Sequence, residues 1–358
     1  MSLPVPIPPV LVVGAGLSGL AAAATLSAAG IAVRVVEARP RIGGRVLTER
    51  RGTGGLDLGA AWVWPDHQPL LARRLRELGL ATLPQFEEGA FLLEERSAVR
   101  RLGYPRRYDD ARRLAGGMAA LAEALAARLP DGALRLGSPV VGVTLDPTPT
   151  LLLADGQRLA GLAVILTLPP RLTARLTFAP ALPDDLRRTL LAHPTWMAPH
   201  AKAIAVYDRA FWREAGLAGT AMSRRGPLAE TVDLGAGGLH ALAGFIGWPA
   251  ARRATDATGL GAALREQLVR LFGPAAAMPR ELLIEDWSAS PFTAAPEDLA
   301  GPAGHPAPGD PRLAQAWHDG RIAFAGAETS AASPGLVEGA LAAGERAAKV
   351  IARFLASS

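Results

Sequence analysis

Three glycines near the start of the chain have a spacing that suits phosphate binding. They belong to a G-x-G-x-x-G turn that contains Gly14, Gly16, Leu17, Ser18 and Gly19. Such a turn lets the backbone approach a pyrophosphate, and the helix that follows offers N–H groups and its positive dipole end. Glu37 stands eighteen positions after Gly19, where a carboxylate can accept both hydroxyls of an adenosine ribose. The pattern predicts a dinucleotide site, but it does not distinguish NAD from FAD.

A lysine in the middle of the chain is a second candidate for chemistry. Lys202 and Lys349 are the only lysines among 38 basic residues, since arginine is used almost everywhere else. A lysine kept against this bias is expected to be needed as a compact amine. The competing interpretation is an ordinary strand lysine at a domain edge. The six histidines show no metal-ligand spacing, so we expect no metal site.

The elements around the glycine turn have the order that a dinucleotide site requires. Val10–Val13 predicts a buried strand, a helix of small residues runs to about Ala29, and Ile31–Val36 predicts a second strand. The apolar run Leu162–Leu168 is typical of a further buried parallel strand, and Val337–Phe354 has the spacing of a long helix. We therefore predict an α/β chain with a Rossmann-like domain built from its first and last parts.

An inserted α+β domain is predicted between those parts. The expected nucleotide domain comprises residues 1–80, 114–175 and 312–358, and the expected substrate domain comprises residues 81–113 and 176–311. Strand patterns at Lys202–Tyr207, Leu239–Ile246 and Leu282–Trp287, with a helix at Leu260–Phe272, indicate the mixed composition of the insertion.

Composition describes a folded protein and excludes several other classes. The chain has 358 residues, of which 49% are hydrophobic and 20% charged. Its net charge of +5 comes from arginines scattered among acids, so nucleic-acid binding is not expected. No apolar run reaches the roughly 18 residues that span a bilayer, and no signal peptide is evident. The absence of cysteine excludes disulfides, and we expect a cytoplasmic protein without membrane association.

Four blocks of the sequence resemble the FAD-dependent amine oxidases. They are Gly14–Arg45, Asp57–Val63, Lys202 with Phe211–Arg213 downstream, and Arg321–Ala347. The resemblance covers nearly the whole chain and implies that the dinucleotide is FAD. Because the chain has no cysteine, the flavin is expected to be bound non-covalently.

The resemblance also implies which residues hold FAD. Arg39 would lie near the adenosine, Gly43 to Arg45 near the pyrophosphate, and Glu328 near the ribityl or phosphate-side hydroxyls. The full implied set is Gly14, Gly16, Leu17, Ser18, Gly19, Glu37, Ala38, Arg39, Gly43, Gly44, Arg45, Gly59, Ala60, Ala61, Trp62, Val141, Gly326, Glu328, Leu336 and Val337.

The implied reaction is oxidation of an amine or amino-acid-like small molecule. A hydride equivalent passes from the carbon beside nitrogen to flavin N5, and O2 then reoxidises the flavin and forms hydrogen peroxide. Lys202 falls where the family keeps a lysine that holds a water against N5. It is the predicted catalytic residue, and burial is expected to disfavour its charged form.

The substrate side departs from the family pattern. Many members have two aromatic rings over the flavin, but counting along the chain places Leu336 and Glu297 at those positions. Trp62, Leu336 and Glu297 are therefore the predicted pocket residues, with Trp64, Phe292 and Trp196 as further candidates. The segment between Leu80 and Gly116 is also short, which predicts a small cap.

Two alternatives follow from these departures. One is a renalase-like oxidase of reduced nicotinamide or another non-amine hydride donor. The other is a protein that binds FAD with little turnover. The oligomeric state is not determined by any of these patterns.

Overall fold

A computed structural model of the chain describes residues 8–103, 109–300 and 304–357. The outer limits of the predicted nucleotide domain, at residues 1 and 358, and positions 104–108 of the predicted insertion lie outside the described residues.

The described residues form the strands and helices named below in chain order. The strands are β1 (Val10–Val13), β2 (Val33–Val36), β3 (Thr48–Arg51), β4 (Gly54–Asp57), β5 (Thr82–Pro84), β6 (Ala90–Glu94), β7 (Val99–Leu102), β8 (Arg112–Leu114), β9 (Leu134–Arg135), β10 (Val140–Thr144), β11 (Thr150–Leu153), β12 (Arg158–Ala160), β13 (Val164–Leu166), β14 (Thr177–Ala179), β15 (Ala201–Tyr207), β16 (Leu217–Ser223), β17 (Glu230–Asp233), β18 (His240–Phe245), β19 (Glu281–Asp286), β20 (Ala316–Trp317) and β21 (Ile322–Phe324). The α-helices are α1 (Leu17–Ala28), α2 (Pro69–Glu77), α3 (Ala119–Ala126), α4 (Pro170–Thr173), α5 (Asp184–Ala192), α6 (Phe211–Glu214), α7 (Ala250–Thr255), α8 (Ala257–Phe272) and α9 (Val337–Ser357).

A mainly parallel sheet carries the glycine turn. Its strand order is β20-β21-β13-β1-β2-β9, and only β20 runs antiparallel to its neighbour. The side chains of Val10 and Val12 pack towards α1 and α9, whereas Leu11 and Val13 pack on the opposite face. Both faces are buried, which explains why the sequence is apolar at consecutive positions rather than alternating.

Helix α1, near the start of the chain, packs against helix α9, at its end. They approach closely because their facing residues are small: a Cβ atom added to Gly344 of α9 would lie 2.2 Å from the carbonyl oxygen of Ser18 in α1. The side chain of Ser18 also donates a hydrogen bond to the carbonyl oxygen of Ala325, at the end of β21. The last segment of the chain is thereby fixed beside the glycine turn.

A seven-stranded sheet forms the wall opposite the glycine turn. Its order is β19-β15-β18-β17-β16-β6-β7, and β15 is buried along its whole length. Ala203 and Ala205 face the core under α8, while Ile204 and Val206 face a second core with Leu56. Lys202 shares the second face, and this places its side chain towards the segment after β4.

The short segment before α3 is β-structured where the structure describes it. Strands β6 and β7 form a hairpin that extends the edge of the seven-stranded sheet. Strands β5 and β8 pair at the base of the same segment.

The strands of the sheets can be compared with the predicted domain segments, which stay a prediction. All strands of the mainly parallel sheet fall in segments assigned to the nucleotide domain, and those of the seven-stranded sheet fall in segments assigned to the insertion. However, β14 pairs with β10, so residues 177–179 join the sheet β12-β11-β10-β14 although the predicted insertion begins at residue 176. The apolar pattern before β14 does not reveal this pairing. None of the helices in the described residues is both long and apolar enough to cross a membrane.

Candidate active site

A cavity of about 900 Å³ lies between the glycine turn and the seven-stranded sheet. It opens beyond the carboxyl ends of β1 and β13, the edge where parallel α/β sheets bind ligands. The predicted residues that line it are Gly14, Gly16, Leu17, Ser18, Glu37, Arg39, Gly43, Gly44, Arg45, Gly59, Ala60, Ala61, Trp62, Lys202, Leu336 and Val337, together with Trp64, Phe292 and Trp196.

The glycine turn is held in a shape that only glycine accommodates. Gly14 has φ +103°, and a Cβ atom on Gly19 would lie 1.9 Å from the carbonyl oxygen of Gly14. A second glycine segment meets the turn, because Gly16 forms an isolated parallel bridge with Gly43. The glycines of both segments have no side chain at the cavity wall, so their backbone can approach a pyrophosphate closely.

Glu37, the predicted adenosine anchor, lines the cavity beside the glycine turn. It is 4% exposed. Its carboxylate accepts hydrogen bonds from the backbone N–H groups of Ala15, at 2.7 Å, and Arg39, at 2.9 Å. The Arg39 guanidinium donates to the hydroxyls of Ser290 and Thr293, at 2.6 and 2.7 Å. The acid is therefore oriented before any ribose binds.

Arg45 forms a bidentate ion pair with the buried carboxylate of Glu328. The two guanidinium nitrogens of Arg45 lie 2.6 and 3.1 Å from the two carboxylate oxygens of Glu328, which is fully buried. Glu328 also accepts a hydrogen bond from the backbone N–H of Trp196 at 3.1 Å. A buried carboxylate requires such partners because its desolvation is costly. Glu328 holds Arg45 and does not itself line the cavity, and its expected contact with cofactor hydroxyls stays a prediction.

Lys202 lies at the other end of the cavity and is 2% exposed. Its Nζ donates to the carbonyl oxygens of Asp57 and Gly59, at 2.9 and 2.7 Å. The ring centroids of Trp62 and Phe245 lie 5.0 and 5.4 Å from Nζ. An ammonium has three N–H donors, which leaves one beyond the two carbonyls for a molecule in the cavity.

Burial dominates the electrostatics of this lysine. Desolvation lowers the pKa of Lys202 to about 8, although the negative charge of Asp57 opposes the shift. The Asp57 carboxylate accepts hydrogen bonds from the Thr48 hydroxyl and the Met118 N–H, at 2.5 and 2.9 Å, while burial raises its own pKa. The amine is therefore close to its point of deprotonation near neutral pH.

A row of rings continues the cavity wall away from Lys202. Trp62 and Phe245 have centroids 6.3 Å apart, Phe245 and His200 6.2 Å, and His200 and Trp196 6.2 Å. Burial lowers the pKa of His200, and the nearby positive charge of Arg253 lowers it further. Neutral rings thus cover much of this end of the cavity and exclude water from it.

The sequence did not identify Phe245, His200 or Glu230, which also line the cavity. Phe245 lies directly opposite Lys202 in the antiparallel ladder between β15 and β18. A register between the two predicted strands would have revealed it, but sequence patterns do not fix that register. Leu336 does line the cavity, and its backbone N–H donates to the carbonyl oxygen of Ser333 at 3.2 Å.

Several expected site residues lie elsewhere in the described part of the chain. Glu297 is exposed and forms an ion pair with Arg175 at 2.8 Å, so the prediction that it lines the substrate pocket is wrong. Val141 is 42% exposed, outside the cavity. The other expected residues that do not line the cavity are Gly19, Ala38 and Gly326.

The donor set and the shape of the cavity fit FAD. The bare backbone of the glycine segments and Glu37 suit the adenosine diphosphate part. The flavin part of FAD extends far beyond its pyrophosphate and needs a long site. The cavity provides one, because it continues over Gly59 and Ala60 to Lys202 and Trp62.

Comparison with known proteins agrees with this fit. The sequence model of the family described as flavin containing amine oxidoreductase matches residues 17–108 and 97–352. A probable flavin-containing monoamine oxidase A from Dictyostelium discoideum is 25% identical, over 98% of both chains. A putrescine oxidase from Kocuria rosea is 26% identical, over 73% of this chain and 77% of its own.

Solved structures show the same fold. A putrescine oxidase bound to putrescine superposes with a TM-score of 0.81 at 25% identity. The superposition covers 98% of this chain and 100% of the other. Cyclohexylamine oxidase from Brevibacterium oxydans IH-35A has a TM-score of 0.82 at 22% identity, over 98% of this chain. The chain belongs to the flavin-containing amine oxidoreductase family and is an FAD-dependent oxidoreductase.

Proposed function

We propose that the protein oxidises a small amine at the carbon attached to nitrogen, with Lys202 as the catalytic residue and O2 as the electron acceptor. The observation that carries the proposal is the continuity of the cavity, which joins the dinucleotide cradle at Glu37 to Lys202 and the aromatic wall. The amine oxidases named among the similar proteins support the substrate class.

Bound FAD supplies the acceptor for the hydride equivalent that leaves the substrate carbon. The chain itself has to orient the amine, exclude water and handle protons. Trp62, Phe245 and Trp196 form flat apolar surfaces that restrict how an amine can lie in the cavity and keep bulk water away.

Lys202 handles a proton in this proposal. Its two carbonyl partners fix Nζ, and its lowered pKa leaves a substantial neutral fraction near pH 8. The neutral amine can accept a proton from a water or a substrate ammonium in the cavity, and the protonated form can stabilise developing negative charge. The N-terminus of α9, at Val337, adds a positive dipole end at the same cavity.

The proposed cofactor-binding and substrate-binding parts of the chain correspond to different sheets. The FAD-binding part comprises the segments of β1, β2, β9–β14, β20 and β21 with α1, α3 and α9. The substrate part comprises the seven-stranded sheet with α8.

An anaerobic titration tests the function. The purified protein should show the visible absorbance of a bound flavin, and the absorbance should bleach when a primary amine is added without oxygen. Admission of air should restore the colour with formation of one hydrogen peroxide per turnover. Bleaching by NADH and by no amine or amino acid would overturn the proposal in favour of a nicotinamide oxidase, and no bleaching by any donor would indicate a protein with little turnover.

A further inference from the structure

The indole of Trp62 is bound by a glutamine that does not itself line the cavity. Trp62 is part of the cavity wall, and its ring centroid lies 5.0 Å from the Nζ of Lys202. The single N–H of the indole donates to the Oε1 of Gln85 at 2.9 Å. Buried tryptophans commonly use their N–H in this way, because the rest of the ring is apolar. This hydrogen bond restrains a ring that lies beside the lysine amine.

The amide of Gln85 is oriented by its other hydrogen bonds. Its Nε2 donates to the carbonyl oxygens of Phe86, at 3.0 Å, and Asp233, at 2.7 Å. Both amide N–H groups are then used, and the amide oxygen is the group that accepts from Trp62. Gln85 is buried, so a flipped amide would leave polar groups without partners away from water. The indole therefore meets an acceptor whose direction is already set.

The carbonyl that orients Gln85 is itself fixed. Asp233 is fully buried, and its carboxylate accepts two hydrogen bonds from Arg213, at 2.6 and 2.8 Å, and one from the Trp212 indole, at 2.7 Å. The backbone N–H of Gln85 donates to the carbonyl oxygen of Ala111 at 2.9 Å. Gln85 thus connects the short segment that contains β5 and β8 with β17 and with the cavity wall.

The main chain next to the ring is fixed as well. Val63, directly after Trp62, exchanges two backbone hydrogen bonds of 2.8 Å with Arg112. With the backbone held, rotation about the side-chain bonds of Trp62 decides whether its ring stays beside Lys202. A ring that turned away would let water reach the amine, which is buried in this structure.

Resting on the proposed role of Lys202, we propose that Gln85 is a positioning residue that keeps the Trp62 ring against the catalytic amine. Gln85 does not line the cavity, so its effect on the reaction passes through the indole that it binds. The short segment before α3 then has a function besides covering the cavity: it supplies the group that orients one ring of the cavity wall.

Loss of this restraint has a measurable electrostatic consequence. Desolvation is the largest cause of the lowered pKa of Lys202, so admission of water raises that pKa from about 8 towards its ordinary value. Replacement of the uncharged Gln85 leaves in place the charged groups that act on the amine, which are Asp57, Arg113 and Glu230. If the midpoint rises by about one pH unit, the neutral fraction at pH 8 falls from about one half to about one tenth. A step that uses the neutral amine should then slow about fivefold at this pH.

Gln85→Met removes the acceptor but keeps a side chain of similar length. The flavin-loaded variant should retain its visible spectrum, while the rate that rises through pH 8 in the wild type should rise at higher pH. A second readout does not depend on turnover. Each of the seven tryptophans gives one indole N–H signal in a nitrogen-15-labelled sample, and the signal missing from Trp62→Phe belongs to Trp62. In Gln85→Met this signal should move upfield and exchange faster with solvent.

A double-mutant cycle and a matched control assign the effect to the hydrogen bond. In a chain that already carries Trp62→Phe, and so lacks the indole N–H, Gln85→Met should change the rates and the pH midpoint little. Gln267→Met is the control, because Gln267 is also a buried amide bound to backbone and does not line the cavity. Its oxygen accepts from the backbone N–H of Leu228 at 2.7 Å. The control should keep the wild-type pH profile.

The outcomes separate this inference from the proposed function. An unchanged pH profile in Gln85→Met, or the same fold-change with and without Trp62→Phe, would overturn the inference and leave amine oxidation intact. A shifted profile in Gln267→Met would also overturn it, because loss of any buried amide would then suffice. If Gln85→Met does not fold, Trp62→Phe decides: a raised midpoint supports the inference, and a wild-type profile overturns it. Failure of every amine to bleach the wild-type flavin would overturn the proposed function itself.

Discussion

Replacing Lys202 by methionine is the most direct test of the proposed chemistry. Methionine has a similar length and fills the space between Trp62 and Phe245 without a charge. The carbonyls of Asp57 and Gly59 lose a donor, but no buried cation is left without a partner. We therefore expect Lys202→Met to fold and to retain FAD.

The expected size of the effect follows from the pKa. With a pKa of about 8, the neutral fraction of Lys202 rises from roughly 10% at pH 7 to roughly 90% at pH 9. A step that needs the neutral amine should accelerate about tenfold over this interval and then level off. At the ordinary pKa of 10.5, the same step would still be rising steeply at pH 9. Removing a positioned acid–base group typically slows such a step by about 100-fold or more.

Stopped-flow absorbance measures the two half-reactions separately. Flavin reduction by the amine is followed without oxygen, and reoxidation is followed after mixing with oxygen, each from pH 6.5 to about 9.5. In Lys202→Met, at least one of the two rates should fall, and its rise through pH 8 should disappear. Lys349→Met is the control, since Lys349 is the other lysine of the chain and is exposed on α9.

Two results would refute the reasoning. If both rates in Lys202→Met match those of the wild type, Lys202 has no catalytic role. If the variant is slow but keeps the wild-type pH profile, another group titrates near pH 8 and Lys202 acts through packing alone.

Three further predictions concern the cofactor cradle. Gly19→Ala would place a Cβ 1.9 Å from a carbonyl oxygen of the glycine turn; we expect a loss of about 1–3 kcal/mol in stability, measured by chemical unfolding, and a weaker hold on FAD. Arg45→Met would leave the buried carboxylate of Glu328 without its charged partner, so the free energy of unfolding should fall by about 3–5 kcal/mol. A variant as stable as the wild type would contradict the assigned pairing. Glu37→Leu would leave the buried N–H of Ala15 without its acceptor and should cost about 1–3 kcal/mol, with a raised Kd for FAD by fluorescence titration; an unchanged Kd would exclude Glu37 as an adenosine anchor.

The sequence predicted those parts of the fold whose signals are local. The apolar run before the glycine turn became β1, and the long amphipathic pattern near the end became α9, starting at Val337 as expected. The predicted strand Lys202–Tyr207 corresponds to β15, although its residues are buried on both faces rather than alternately exposed. Burial on the second face comes from Leu56 and its neighbours, which lie far away in the sequence.

The substrate side was predicted less well because it depends on loop lengths and strand registers. A fixed offset from Trp287 placed Glu297 in the pocket, but the structure places it on the surface beside Arg175. Phe245 lines the cavity through its register with Lys202. No periodic pattern in one segment specifies which residue of another segment it faces.

By itself, the sequence determined that this protein binds a dinucleotide and that both ends of the chain contribute to the site. The reason is that these signals are local. Neighbouring residues fix the backbone geometry of the glycine turn, of the acid after the second strand and of the small residues on the packed helices. The tertiary structure alone decided that Glu328 holds Arg45, that burial lowers the pKa of Lys202 to about 8, and that Phe245 lies opposite Lys202 in the cavity wall. Burial, ion pairing and register arise only when distant segments pack together, and these quantities set the chemistry of the substrate side.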